Sequence, residues 1–127
     1  MSKIAEFHLD LYGEEETITV YLEQYFDTRP DGSPLLALQA WTEFEPFDSL
    51  TVNLGDYGMY PVDNGVYVPR KGEGSRKVVD ELVKHNILEP TGETVRYGFI
   101  GSDGQPLVVA DEFLVTVDNI EDIIADR

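Results

Sequence analysis

The chain has 127 residues, 42% of them apolar, with 25 Asp and Glu against 9 Lys and Arg and a formal net charge of -16. That length suits one domain, expected to span residues 1–127, and the seven Tyr, six Phe and one Trp argue that it packs a core. Having no cysteine, it is excluded from disulfides, thiolate catalysis and Cys-based metal sites, which fits a reducing, cytoplasmic setting; no apolar run approaches ~20 residues and the N-terminus lacks an apolar signal core, so neither a membrane span nor a secretory signal is expected.

Residues 3–12 alternate, with Ala5, Phe7, Leu9 and Leu11 on one face and Glu6, His8 and Asp10 on the other, the pattern of a half-buried strand. Gly13 to Glu16 reads as a turn. Residues 17–26 alternate again around Ile18, Val20 and Leu22. Residues 35–45 form a third run, with Leu36, Leu38, Ala40 and Phe44 inward, and Leu50, Val52 and Leu54 a short fourth. Gly, Pro, Asp and Asn then recur from Gly55 to Gly74, which is loop chemistry around a brief strand at Val66–Val68.

A helix is predicted at about 75–86. Ser75 is its expected N-cap, Val78, Val79, Leu82 and Val83 its apolar stripe, and Lys77/Glu81 and Asp80/Lys84 its i,i+4 pairs. Asn86 suits the C′ position and Pro90 bars continuation. Strands follow at about 93–101 and 107–117, then a short terminal helix from Asp118, with Ile120, Ile123 and Ile124 inward. Asp31-Gly32-Ser33-Pro34-Leu35 is echoed by Asp103-Gly104-Gln105-Pro106-Leu107, each between strand-like runs and each read as a hairpin turn. The fold class is therefore α+β, a mostly antiparallel sheet of five to seven strands with one main amphipathic helix and a short C-terminal helix.

Leu50-Thr51-Val52-Asn53-Leu54, the run Val79 to Gly92 that contains Glu89-Pro90-Thr91-Gly92, and Tyr97-Gly98-Phe99 carry a resemblance. Residues 50–100 resemble small proteins of the domain-of-unknown-function 4313 family, borne largely on plasmids and conjugative elements. Tyr97 stands where that pattern has Ser, and the N-terminal half matches poorly. The resemblance implies a mobile-element setting and supplies no catalytic residue.

No nucleophile motif, Walker A loop or dinucleotide fingerprint occurs, so no catalytic residue, cofactor or metal is assigned. His8, between Glu6 and Asp10, and His85, in the last helical turn, are read as a solvated strand histidine and a helix-end cation. Asp56, Asp63 and Asn64 are read as turn residues, without EF-hand spacing.

Charge is the stronger signal. Residues 1–69 carry -11, residues 70–84 carry +2 and residues 85–127 carry -7. Arg70, Lys71, Ser75, Arg76 and Lys77 lead into a helix N-terminus and make a candidate anion or partner patch, through which the chain could also oligomerise. The anion could be phosphate, a partner's carboxylate or this chain's own acidic face. Glu14, Glu15, Glu16, Glu23, Glu43, Glu45 and Asp48 are candidates for an acidic face. The surplus of acid disfavours direct binding to nucleic acid or anionic lipid. The expected function is non-enzymatic binding by an acidic protein of a mobile element, in its sharpest form a nucleic-acid mimic that blocks a basic DNA- or RNA-binding protein such as a restriction or CRISPR nuclease. The alternative is a small metal-binding protein or enzyme using the 55–77 loop. Mimicry requires that the acids cluster on one face; spread evenly, they would serve solubility alone.

Overall fold

The structure, a computed structural model, describes residues 2–70, 72–118 and 120–125, without the side chains of 124 and 125. It contains seven strands and two α-helices among these residues: β1 (Ser2–Leu11), β2 (Glu14–Thr28), β3 (Pro34–Trp41), β4 (Pro46–Ser49), β5 (Gly65–Pro69), α1 (Glu73–Lys84), β6 (Leu88–Ile100), β7 (Pro106–Val115) and α2 (Ile120–Ala125). The α+β class holds, but the strands divide into two antiparallel sheets, ordered β1-β2-β3-β4 and β5-β7-β6. The first is a plain meander. In the second, α1 carries the chain from β5 past the position of β7 to β6, and β7 returns between them.

Both sheets turn one face to a shared core. Ile18, Val20 and Leu22 of β2, Leu36, Leu38 and Ala40 of β3, Val66 and Val68 of β5, and Phe113 and Val115 of β7 meet Val78, Val79 and Leu82 of α1. On β1 the predicted alternation is seen, with Ala5, Phe7 and Leu9 packed on this core and Glu6, His8 and Asp10 exposed. A smaller core of Leu54, Tyr67 and Ala110 lies on the other face of the second sheet.

Local differences from the sequence reading have identifiable causes. The first turn is only Tyr12-Gly13, both at positive φ (55° and 87°), as a two-residue hairpin of this hand requires. Asp10 Oδ1 accepts the Gly13 N–H at 3.0 Å. Glu14, Glu15 and Glu16 therefore belong to β2 and not to the turn. The third strand stops at Trp41, because the Thr42 main chain and hydroxyl both bond to the Glu45 carbonyl (2.9 and 3.2 Å) and close a turn. Phe44, expected inward, stands out on that turn. The fourth strand is Pro46–Ser49, paired with β3. The apolar alternation of Leu50–Leu54 serves another purpose, since Leu50 fills the main core, Leu54 the smaller one, and Val52 bridges to Tyr67.

The helix begins at Glu73 behind Gly72, which offers no side-chain cap, so Ser75 lies inside it. Its C-terminus is as expected: Asn86 at φ 61° donates to the Val83 carbonyl (3.1 Å) and Ile87 to Leu82 (2.9 Å), a Schellman closure. Pro90 therefore terminates nothing; it sits in β6, an edge strand, where a missing N–H is tolerated. The expected Lys77/Glu81 pair is replaced, because Glu81 turns to His85 (3.0 Å) and Lys77 approaches Glu73 (4.0 Å), and the expected Asp80/Lys84 ion pair is not formed. Ile120 and Ile123 of α2 pack on the core, whereas the Ile124 side chain lies outside the described residues. The two Asp-Gly-x-Pro-Leu segments make the same turn, with Asp31 Oδ1 accepting Ser33 N–H (2.9 Å) and Asp103 Oδ1 accepting Gln105 N–H (3.0 Å).

Asn86 is the decisive helix stop. Asn86→Gly is expected to fold with unchanged or slightly higher stability, whereas Asn86→Val should lose about 1–2 kcal/mol from left-handed strain. Leu82→Ala, in the shared core, should lose about 2–5 kcal/mol. Urea unfolding of the variants measures each.

Candidate functional site: the acidic end of the first sheet

Strand order determines where the acids go. In the meander β1-β2-β3-β4, the β1–β2 and β3–β4 turns emerge at the same end. Laterally the two turns are two strand spacings (~10 Å) apart, and along the strands the β1–β2 hairpin runs about five residues (~17 Å) past the last β3 pair, Trp41 with Thr19. One brings Glu14, Glu15 and Glu16, with Asp10 directly opposite Glu15; the other brings Glu43 and Glu45, and Asp48 follows on β4. Five of the seven predicted acids thus lie in or beside these two turns. Asp48, opposite Ala40 and level with Val20, and Glu23, eight residues along β2 from Glu15, do not.

The gathering is at an end and not across a face. Glu15 and Glu23 share the outer parity of β2, Glu14 and Glu16 the inner one, and Asp48, opposite Ala40, faces the helix. Direct opposition of Asp10 and Glu15 is an unfavourable cross-strand pair. Two aromatic rings stand beside these acids, Tyr12 at 75% exposure and Phe44 at 87%.

The predicted basic segment comes to the same end. Gly74, in the first turn of α1, lies under Tyr12 and Phe47; a Cβ there would fall 2.9 Å from Tyr12 Oη and 3.0 Å from Phe47 Cζ. Lys77 Nζ donates to the Asp10 carbonyl at 3.0 Å, and Ser75 Oγ to Asp48 Oδ2 at 2.6 Å. Arg70 forms a fork with Asp111 (3.0 and 2.9 Å), which raises its pKa above the ordinary value through these hydrogen bonds and the carboxylate charge. Of the anions weighed for this patch, the chain's own acids and main-chain carbonyls are the ones seen. Arg76 is exposed and makes no ion pair with a described residue; Lys71 lies outside the described residues. A cleft of about 390 Å³ between α1 and the second sheet has Arg70, Arg76, Asp80 and Asp111 on its rim and Val68, Val79 and Phe113 in its wall.

The histidines are engaged locally. His8 Nδ1 is 3.1 Å from Thr17 Oγ1, and His85 stacks on Phe7 (centroids 6.0 Å apart) while bonded to Glu81. Asp56, Asp63 and Asn64 are separated along the 55–64 loop, and no group of three or more His, Cys, Asp or Glu suited to a metal exists among the described residues. No described helix is long and apolar enough to cross a membrane. Among known proteins, no family model, no curated protein and no solved structure matches the chain.

Reading the sequence missed Tyr12, Phe44 and Asp10 at the acidic end. Thr42 and Pro46 bracketing Phe44 were the available sign of a turn. It also missed a second polar centre. Glu112, 5% exposed, accepts the Val62 N–H (3.1 Å) and the Thr91 hydroxyl (2.6 Å). Arg29 donates to the Pro61 and Val62 carbonyls, so the 55–64 loop is held from two sides. Burial raises the phenol pKa of Tyr25, Tyr67 and Tyr97; the nearby Glu112 carboxylate adds to the effect on Tyr67, and Tyr57 to that on Tyr97.

Two outcomes follow for this centre. Glu112→Ala strands the Val62 N–H and Thr91 hydroxyl and should reduce stability by about 2–3 kcal/mol in urea. For the three phenols the folded-state pKa lies above the unfolded value, so the folded protein holds their protons longer. Their contribution is complete below pH ~10 and is lost as pH rises beyond it. Ultraviolet titration, with each of the three replaced in turn by Phe to assign it, should show Tyr25, Tyr67 and Tyr97 ionising above the ordinary phenol value of ~10.

Proposed function

We propose that this is a non-enzymatic binding protein that presents the acidic end of its first sheet to a basic protein partner. The observation that carries the reading is the gathering of Asp10, Glu14, Glu15, Glu16, Glu43 and Glu45 at one end of the sheet beside two outward aromatic rings. Clustered acids steer a basic partner into encounter, and exposed aromatic rings are the side chains that anchor such contacts once formed.

The sharpest form of the reading is a nucleic-acid mimic. Duplex DNA carries one charge per ~1.7 Å, so these six carboxylates equal the charge on ~10 Å of duplex. The end of a four-stranded sheet spans three strand spacings, ~14 Å. Because the β1–β2 hairpin runs about five residues past the end of β3, the acids also spread along the strands, so the likeness to a duplex is in the amount of charge and not in its linear density. In the mobile-element setting that the resemblance implies, the blocked partner would be a host nuclease of the restriction or CRISPR kind.

The test is capture from host lysate on the immobilised protein, eluted by salt. One variant converts Glu14, Glu15, Glu16, Glu43 and Glu45 to Gln; a control converts Asp56, Asp63, Glu89, Glu121 and Asp122 to their amides, the same loss of charge elsewhere. A basic partner lost at least ~10-fold from the first variant and retained by the control supports the reading. Equal losses in both, or capture indifferent to salt, would leave bulk acidity as the explanation. A thermal shift with divalent ions that EDTA reverses would favour the metal-binding alternative.

A further inference from the structure

The β6–β7 hairpin is the surface that the acidic reading leaves unused. Residues 94–110 carry one cation, Arg96, and one anion, Asp103, so the whole of the -16 falls elsewhere. On this neutral stretch three large apolar side chains point to solvent, Phe99 at 86% exposure and Ile100 and Leu107 at 64% each. β6 is an edge strand with β7 as its single neighbour, so its outer row of main-chain N–H and C=O groups is unpaired by sheet. An apolar cluster on a free edge is the mark of an association site, and in a chain this acidic a neutral stretch is where like-charged copies can approach.

The sequence of the hairpin says which occupant fits. Arg96-Tyr97-Gly98-Phe99-Ile100-Gly101-Ser102-Asp103 has the same character from either end: a charge outside, a glycine inside it, and an apolar pair at the centre. The two outer charges are opposite in sign. β6 ends at Ile100 and Asp103 lies in the β6–β7 turn, so two hairpins laid side by side about a two-fold axis near Phe99 and Ile100 would bring these apolar side chains together and the turn carboxylate of each copy towards Arg96 of the other. A basic partner would find one carboxylate here and an acidic partner one cation, whereas a second copy finds both complements at once. We propose that this hairpin is a self-association surface, occupied by a second copy of the chain through an isologous two-fold contact. It leaves the acidic end out of the interface.

Sedimentation velocity over a wide concentration range, on the full chain, tests this. A reversible dimer is expected. Phe99→Asp should weaken it ~100-fold, since each substitution is lost twice per dimer at ~10-fold apiece. Phe26→Asp, at a fully exposed apolar position on β2, should leave it unchanged. Arg96→Glu and Asp103→Lys should each weaken the dimer a few-fold, and the double charge reversal should restore it, which general stickiness cannot do. A monomer at every concentration overturns the proposal. So does a dimer indifferent to Phe99→Asp, or a double reversal no tighter than either single one.

Discussion

Two sheets in this protein depend on one helix. Each sheet has an apolar face too large to leave wet, and α1 is the main helix available to cover them. Val78 and Leu82, with no residual exposure, are where the faces of both sheets converge. The crossover β5–α1–β6 is thus more than a connection, because it holds the second sheet against the first. The Schellman closure at Asn86 is correspondingly strict: the chain must leave the helix at once to enter β6, and Ile87 is already packed on the core one residue later.

Charge is arranged around that core with a definite polarity. The antiparallel meander collects acids at one end of the first sheet, even to the point of opposing Asp10 and Glu15 across the strands. The helix N-terminus is docked beside it, and its donors answer part of the repulsion, the Lys77 ammonium on the Asp10 main chain and the Ser75 hydroxyl on Asp48. The distal part of the β6–β7 hairpin, residues 94–110, is neutral and apolar. One molecule therefore offers two chemically distinct surfaces, one suited to an ionic partner and the other to contact between uncharged groups.

Much of the fold was legible because period-two alternation survives wherever a strand has one wet face. β1, β2 and β7 and the stripe of α1 follow directly from it. The reading failed where a similar pattern served two cores. Leu50 and Leu54 alternate like a strand, yet each is buried in a different cluster, a fact that only the placement of the second sheet decides. Phe44 kept the alternation of β3 on paper, but the Thr42 side chain captured the backbone first. Ser75 looked like a cap because Ser is a good one; with glycine at position 72 the helix starts earlier, and the hydroxyl is free to meet Asp48. Of the candidate site, the residues were legible and their gathering was not. Glu15 and Glu45 are thirty residues apart, and nothing short of strand order says that they share an end.

The 55–64 loop offers a last consequence. Its composition, rich in Gly, Asp and Asn, is that of a linker, and a linker is where a chain is normally cut, lengthened or joined to another domain. Here Arg29 grips two of its carbonyls and the buried Glu112 a third main-chain group, so the segment forms a wall over the smaller core. Proteases should pass it by, and a fusion partner inserted there would tear out a carboxylate's ligands. The Thr42–Glu45 turn, with Phe44 standing in water, is the more tolerant place to open the chain, but it belongs to the acidic end. The most permissive joint of the scaffold and its proposed binding surface therefore coincide, so this protein can vary its contacts without disturbing its core.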